Sequence, residues 1–312
     1  MLLTVIIPAY NASKNIENAL RSIWAIDLMN YPEWSIEVIV VNDGSEDGLE
    51  LQKVISRFEQ IKLIEHQTNL GMCAARNTGI SASHGDYVTL LDADDEYIEE
   101  WYKQFLRIIE EWPSNVNVIL TPCLNDFGEL TCQVPGYKGY LTAEDIINER
   151  YSGEYNPIFR GDYIRAVKYV DLGTHKSCGL YSYLKMARQH PFWITDRVQR
   201  IYHTGNSQSV TSSWTNPSKA KETYICFDEV LKEYQDYIKS VSLRSCQRMK
   251  YKRYIYCMLA GYGRNFRQCF RDFSIYAFIP WIATCILLII GPGLTSWILL
   301  QAKKIGILRK YG

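Results

Sequence analysis

From residue 3 to about residue 121 the chain alternates short apolar runs rich in β-branched residues with helical patterns. The runs Thr4–Ile7, Glu37–Val41, Lys62–Glu65, Tyr87–Leu91 and Asn117–Thr121 predict strands. Their near-continuous apolar character is what parallel strands buried on both faces require. Between them Ile16, Ala19, Leu20 and Ile23, and again Ile98, Trp101, Tyr102 and Phe105, keep the i, i+3, i+4, i+7 spacing of a helix face turned toward a sheet. The expectation is α/β architecture with a mostly parallel, Rossmann-like sheet.

Residues 122–213 are more mixed, with turn-like stretches at Pro135-Gly136 and Gly205-Asn206 and a helical pattern around Tyr181 to Ala187. They read as the acceptor half of the same domain, which gives a catalytic unit over 1–213 with a donor-binding half at 1–121. Residues 214–312 differ: long helical patterns come first, then a basic stretch, then a strongly apolar one. Arg244, Arg248, Lys250, Lys252, Arg253, Arg264, Arg267 and Arg271 are interleaved with Tyr251, Tyr254, Tyr256 and Tyr262, a mixture suited to anionic lipid headgroups. Ile275–Leu300 carries no charge, includes Trp281 and Trp297, and is followed by Lys303, Lys304, Arg309 and Lys310. Pro280 and Gly291-Pro-Gly293 interrupt it, and cations flank both sides, so a re-entrant or interface-lying helical pair is expected, ahead of a single kinked span.

Lys plus Arg and Asp plus Glu both number 34, so net charge gives no reason to expect nucleic acid. The nine cysteines are scattered, with no Cys-x-x-Cys pair, and the opening Met1–Pro8 has neither a basic start nor a cleavage site. Both point to reduced thiols and a catalytic part on the cytoplasmic side.

In a doubly wound sheet, ligands bind beyond the carboxyl ends of the strands. Here those ends are polar: Pro8-Ala-Tyr-Asn11, Asn42-Asp43-Gly-Ser-Glu-Asp47-Gly48 and Asp92-Ala-Asp94-Asp95. An acidic triplet alone reads as a solvated turn. Beside two other polar strand ends it becomes a candidate site for a hard divalent cation, which takes oxygen ligands, waters and substrate phosphates.

Val5-Ile-Ile-Pro-Ala-Tyr-Asn11, Val41-Asn-Asp-Gly-Ser45, Asn69-Leu-Gly71, Ala75-Arg-Asn-Thr-Gly79 and Leu91-Asp-Ala-Asp-Asp95, in that order, resemble glycosyltransferase family 2, closely over residues 3–121 and loosely over 122–213. The resemblance implies the GT-A fold and an inverting, metal-dependent sugar transferase, a hexosyltransferase above all, using a nucleotide-sugar donor, usually a UDP-sugar. It implies that Pro8 and Tyr10 line the nucleoside pocket and that Asp43 accepts a hydrogen bond from the base. Asp92 would face the ribose, Asp94 would hold Mn or Mg against the diphosphate, and Arg76 would fix the nucleotide or its loop. Asn42 departs from the acidic residue more often found there. The segment Arg200-Ile-Tyr-His203-Thr-Gly-Asn-Ser207 resembles one in which an Arg or His reaches back to the diphosphate or metal, which makes Arg200 a donor contact and His203 a donor and metal anchor. The setting implied is polysaccharide or glycan assembly at the cytoplasmic face of the cell membrane, with a lipid-linked glycan as acceptor.

One part of the pattern is missing. Inverting transfer needs a group that takes the acceptor hydroxyl's proton, and in the family a carboxylate precedes a helix like Gly179–Ala187. Here the stretch reads His175-Lys-Ser-Cys178. Asp171 or His175 replaces that acid, a loop shift recruits Asp196, or the chain is a weakly active or non-catalytic nucleotide-sugar-binding membrane protein. A nucleotidyltransferase would need a Gly-rich basic loop after the first strand, where this chain has Pro-Ala-Tyr-Asn-Ala-Ser.

Overall fold

The structure is a computed structural model, and it describes residues 1–25, 31–203 and 215–305. The predicted turn at Gly205-Asn206, together with Ser207, Arg309 and Lys310, lies outside the described residues.

The elements run β1 (Leu2–Ala9), α1 (Ile16–Ile23), β2 (Ser35–Asn42), α2 (Gly48–Ile55), β3 (Ile61–Glu65), α3 (Met72–Ala82), β4 (Tyr87–Leu90), β5 (Glu96–Tyr97) and α4 (Trp101–Glu110). There follow β6 (Val118–Asn125), β7 (Gly139–Leu141), α5 (Ala143–Ile147), β8 (Tyr155–Arg160), α6 (Gly161–Val167), α7 (Gly179–Ala187), β9 (Phe192–Ile194) and β10 (Arg200–Tyr202). The chain then becomes helical: α8 (Pro217–Val241), α9 (Leu243–Leu259), α10 (Phe266–Arg271), α11 (Phe278–Ile290) and α12 (Pro292–Lys304).

All five predicted strands form. The sheet order is β3-β2-β1-β4-β8-β6-β10-β5. β1 pairs in parallel with β2 and β4, and β2 with β3. This α/β fold has the predicted parallel half, but β8 runs antiparallel between β4 and β6. No strand is predicted there; Pro157 interrupts the run, and proline usually marks a sheet edge. In the fold Pro157 stands opposite Leu120, and its carbonyl accepts from the Thr89 hydroxyl at 2.9 Å.

Each face of the sheet has its own core. Ile16, Ala19, Leu20 and Ile23 of α1 and Trp101, Tyr102 and Phe105 of α4 are buried on one face, as their spacing predicts. The other face is covered by α3, α6, α7 and α8, through residues such as Ile80, Ile164, Leu184 and Val230. α8 thus joins this core by packing on α5 and α7, even though it lies beyond the composition shift.

Two expectations about the tail and the thiols change here. Tyr251 and Tyr254 are core residues of a third cluster with Met258, Cys269, Cys285 and Leu288. Arg248 and Lys252 pair with Glu149, Lys250 with Asp272, and Arg253 with Asp228, so much of the basic stretch is spent inside the protein. Cys178 and Cys226 form a disulfide with Cα atoms 5.6 Å apart, a pairing the scattered spacing did not suggest. The other seven cysteines remain thiols.

Candidate active site

β1, β2 and β4 are neighbours, so their polar ends converge, as the sequence predicted. The loop after β1 is laced to the loop after β2. Asn11 N–H donates to Ser45 Oγ at 3.0 Å, Ser13 N–H to Asp47 at 2.9 Å, and Glu46 N–H to Asn11 Oδ1 at 2.9 Å. Tyr10 remains 45% exposed at this rim, beside the half-buried Pro8, and offers an open ring face.

Asp43 is buried and already occupied. Its carboxylate accepts from Leu70 N–H at 2.9 Å and Gly71 N–H at 2.8 Å, and lies 2.7 Å from His66 Nδ1, whose other nitrogen meets Thr78. Asp43 therefore acts here as the clamp of the 69–71 loop rather than as an open acceptor for a base. Gly71 has φ +98°, and a Cβ on it would lie 2.2 Å from the Thr174 carbonyl oxygen, so only glycine lets the 174–175 segment sit this close.

Beyond β4 lies a buried charge cluster. Asp92 receives Arg76 from α3 and Arg200 from β10, each at 3.2 Å. Arg200 is 4% exposed, and it also faces Asp95 at 3.2 Å, Cys123 Sγ at 3.3 Å and Glu154 at 4.0 Å. Sequence reasoning placed Arg200 on the donor diphosphate. The structure turns it inward instead, because β10 pairs with both β5 and β6 and so points the guanidinium at the acidic turn. Burial opposes ionisation of Asp92, but Arg76 and Arg200 outweigh it and hold the carboxyl below the usual range. Asp95 goes the other way. Burial, reinforced by the neighbouring Asp92 and Asp94 charges, outweighs Arg200 and pushes it up to about 8. Glu154, which sequence reasoning missed, is raised by burial as well. Nothing in its local sequence marks it, since β8 and β10 bring it in from a distance.

The residues fit a divalent cation only in part. Among the described residues no three His, Cys, Asp or Glu side chains form a metal-holding group. Mg-type ions commonly take one or two carboxylates and complete their shell with waters and substrate phosphates. Asp94, half-buried at the strand end, suits that role. His203 does not, because its Nδ1 lies 2.5 Å from Asp126 and its Nε2 3.2 Å from Glu96. Burial disfavours its charge, but Asp126 and Glu96 outweigh burial and raise its pKa. Its backbone N–H caps Asp95 at 3.0 Å, so His203 supports the cluster instead.

The candidate bases separate. Asp171 is exposed and lines a groove with Ala74, Asn77, Thr78, Ser81 and Ala82. At 100° per residue that stripe lies on the face of α3 opposite Arg76, so Asp171 stands across the helix from the cluster. Asp196 is exposed after β9, next to Arg197, which pairs with Glu111 at the end of α4. His175 is the candidate next to the donor loop: its carbonyl accepts from Met72 N–H at 3.1 Å.

Among curated proteins, the amylovoran biosynthesis glycosyltransferase AmsB of Erwinia amylovora is 40% identical over 112 residues, covering 34% of this chain and 35% of its own length. The glycosyltransferase GlyA of Streptococcus pneumoniae is 39% identical over 110 residues, 34% of this chain and 15% of its own. The matched stretch thus spans well under half of these relatives. Two solved structures share the fold. Staphylococcus aureus TarS 1-349 has a TM-score of 0.57 at 17% identity over 92% of this chain and 90% of its own. The mannosyltransferase PcManGT from Pyrobaculum calidifontis, solved with GDP-Man and Mn2+, has a TM-score of 0.53 at 15% identity over 92% and 86%. Residues 4–133, which carry all three polar strand ends, match the model of glycosyl transferase family 2, and with the shared fold they make the chain similar to that family's GT-A members.

Proposed function

We propose that the chain transfers a sugar from a nucleoside-diphosphate donor, a UDP-sugar first, to a hydroxyl of a lipid-linked glycan, with inversion. The observation that carries this is that Asp43 follows β2 while Asp92 and Asp94 follow β4, the two strands that flank β1, with Arg76 and Arg200 supplying fixed counter-charge to Asp92. Support from likeness comes from TarS, also solved with UDP-GlcNAc and with UDP, and from PcManGT with GDP-Man and Mn2+. AmsB, by its name, works in polysaccharide biosynthesis.

In this reading Tyr10 stacks on the base and the Asp43-clamped loop closes the nucleoside pocket. Arg76 and Arg200 hold Asp92 in one rotamer and one charge state, so it can accept from ribose hydroxyls. Asp94 would hold Mn or Mg, whose chemistry is to neutralise charge developing on the leaving diphosphate. Calorimetry with UDP, with and without manganese, followed by a donor panel on lipid-linked acceptor, tests the proposal. No heat of UDP binding in either condition overturns it. A second reading, a nucleotide-sugar-binding membrane protein without turnover, is favoured by the lack of a carboxylate in 175–178. Nucleoside diphosphate released only when acceptor is present decides for the enzyme.

We further propose that the chain works at the cytoplasmic face of a membrane, seated by α10–α12. Among the described residues no helix is long and apolar enough to cross a membrane. Gly291, at φ +86°, divides the apolar run into two 13-residue helices. Each is roughly 20 Å long, short of the ~30 Å hydrocarbon core. Ile279, Ile282, Ile286 and Ile289 form an exposed stripe on α11, at 79, 38, 52 and 64% exposure, with Phe270, Phe273, Leu294 and Trp297 also exposed. Exposed Arg264, Arg267 and Arg271 lie beside them. Burying that stripe in lipid is worth on the order of 5 kcal/mol. Replacing the four isoleucines with glutamine should abolish sedimentation with phosphatidylglycerol vesicles, and unchanged sedimentation would remove the membrane role.

A further inference from the structure

The carboxylate absent from residues 175–178 is supplied by α8. Glu222, whose side chain is 17% exposed, accepts from His175 N–H at 3.2 Å and Lys176 N–H at 3.1 Å, and the oxygen facing His175 also lies 3.2 Å from Nδ1 of its ring. Two backbone donors fix the carboxylate, and the imidazole follows it. One helical turn farther along α8, Cys226 is bridged to Cys178 at the start of α7, so this part of α8 is covalently tied to the same segment.

We propose that His175 and Glu222 form an imidazole–carboxylate dyad in which His175 is the general base of the transfer and Glu222 its positioning residue. The inference rests on the glycosyl-transfer reading and adds the missing proton acceptor. An ionised carboxylate can only accept, so Nδ1 carries the ring hydrogen and Nε2 keeps the lone pair. The His175 side chain is 65% exposed, which leaves Nε2 open to an incoming hydroxyl. Its position along the chain suits the task. The His175 carbonyl meets Met72 N–H at the start of α3, and Arg76, which grips Asp92, follows four residues later, a rise of about 6 Å.

In the step, the acceptor oxygen bonds to the anomeric carbon as the bond from that carbon to the diphosphate oxygen breaks. The electron pair leaves with the nucleoside diphosphate, and the hydroxyl proton passes to Nε2. The imidazolium so formed faces Glu222 and later loses its proton to water. Lysine charges lie close by on the Lys176 side. Burial lowers the Lys176 pKa, and the nearby Lys219 and Lys303 ammonium groups add to that against the pull of Glu222. Lys176 itself reaches Thr223 of α8 at 3.5 Å. Glu222 is thus the carboxylate in contact with the His175 ring as it takes up the proton.

The test uses the full chain, Glu222→Gln and His175→Gln. The glutamine in the first variant keeps an acceptor for the backbone donors. Nitrogen-15 NMR of the histidine rings, assigned by the loss of one set in His175→Gln, should find the Nδ1–H tautomer for His175, and in Glu222→Gln a weaker preference for it. UDP release from a UDP-sugar should fall about 100-fold or more in His175→Gln. In Glu222→Gln it should fall less. UDP affinity measured by calorimetry should stay within about two-fold in both, since neither residue is a donor contact. An Nε2–H tautomer, or wild-type turnover in His175→Gln with UDP binding intact, overturns the dyad alone. Failure of the wild-type chain to bind UDP removes the transfer reading, and the dyad with it.

Discussion

Arg200→Met is the most informative single change, because it takes the shared cation out of a buried acidic cluster. Arg200 touches Asp92 and Asp95 at 3.2 Å each and faces Glu154 at 4.0 Å while 4% exposed. Removing one partner of a buried ion pair costs about 3–5 kcal/mol, since the other charge is left uncompensated. Two features pull the expected loss toward the low end. Asp92 keeps Arg76, and Asp95, already pushed up to about 8, holds its proton at neutral pH and asks little of the lost cation there. A loss of about 3 kcal/mol is therefore expected, or a fall in Tm of about 6–12 °C for a domain of this size. Urea unfolding followed by tryptophan fluorescence measures it. Pairing the change with Asp95→Asn near pH 9, where Asp95 is ionised, separates charge from packing, because the amide needs no counter-ion. The double variant should recover about 1 kcal/mol or more relative to the sum of the single losses. Losses that add to within about 0.5 kcal/mol, or a single variant as stable as the wild type, would refute the account of Arg200 as a buried counter-charge.

Three further outcomes follow from the same geometry. The folded value of Asp95 lies above the ~3.9 of an unfolded aspartate, so between these values the unfolded chain binds fewer protons and stability falls as pH rises. Asp95→Asn should flatten that fall by up to about 1.4 kcal/mol per pH unit, seen by unfolding between about pH 5.5 and 7.5, where Asp92 stays ionised; an unaltered slope counts against it. Gly71→Ala forces a Cβ to within 2.2 Å of the Thr174 carbonyl at φ +98°, so it should cost about 1–3 kcal/mol and weaken UDP binding, and calorimetry showing wild-type affinity would contradict the clamp. Asp94→Asn should erase any tightening of UDP binding by manganese while leaving metal-free binding within about two-fold; a retained manganese effect would move the cation elsewhere.

Local signals made the donor half readable. The apolar runs and the 3.6-residue stripes of α1 and α4 fixed strands, helices and buried faces, because period and burial are local consequences of side-chain order. The polar ends at Asn11, Asp43 and Asp92 marked the candidate site, since ligands in such a sheet bind beyond the carboxyl ends of the strands. Tertiary structure decided the rest. β8 inserts antiparallel beside β4 despite Pro157, and this depends on partners 67 to 68 residues away. Arg200 comes to Asp92 across 108 residues and turns inward. His203 is held by two acids, and Asp171 lies behind α3. Glu222 meets His175 from a helix 47 residues later, beyond a composition shift that hid the contact. Spacing along a chain states what each segment prefers to bury. Which charges then share one pocket is set by pairings between distant segments, and those exist only once the chain has closed on itself.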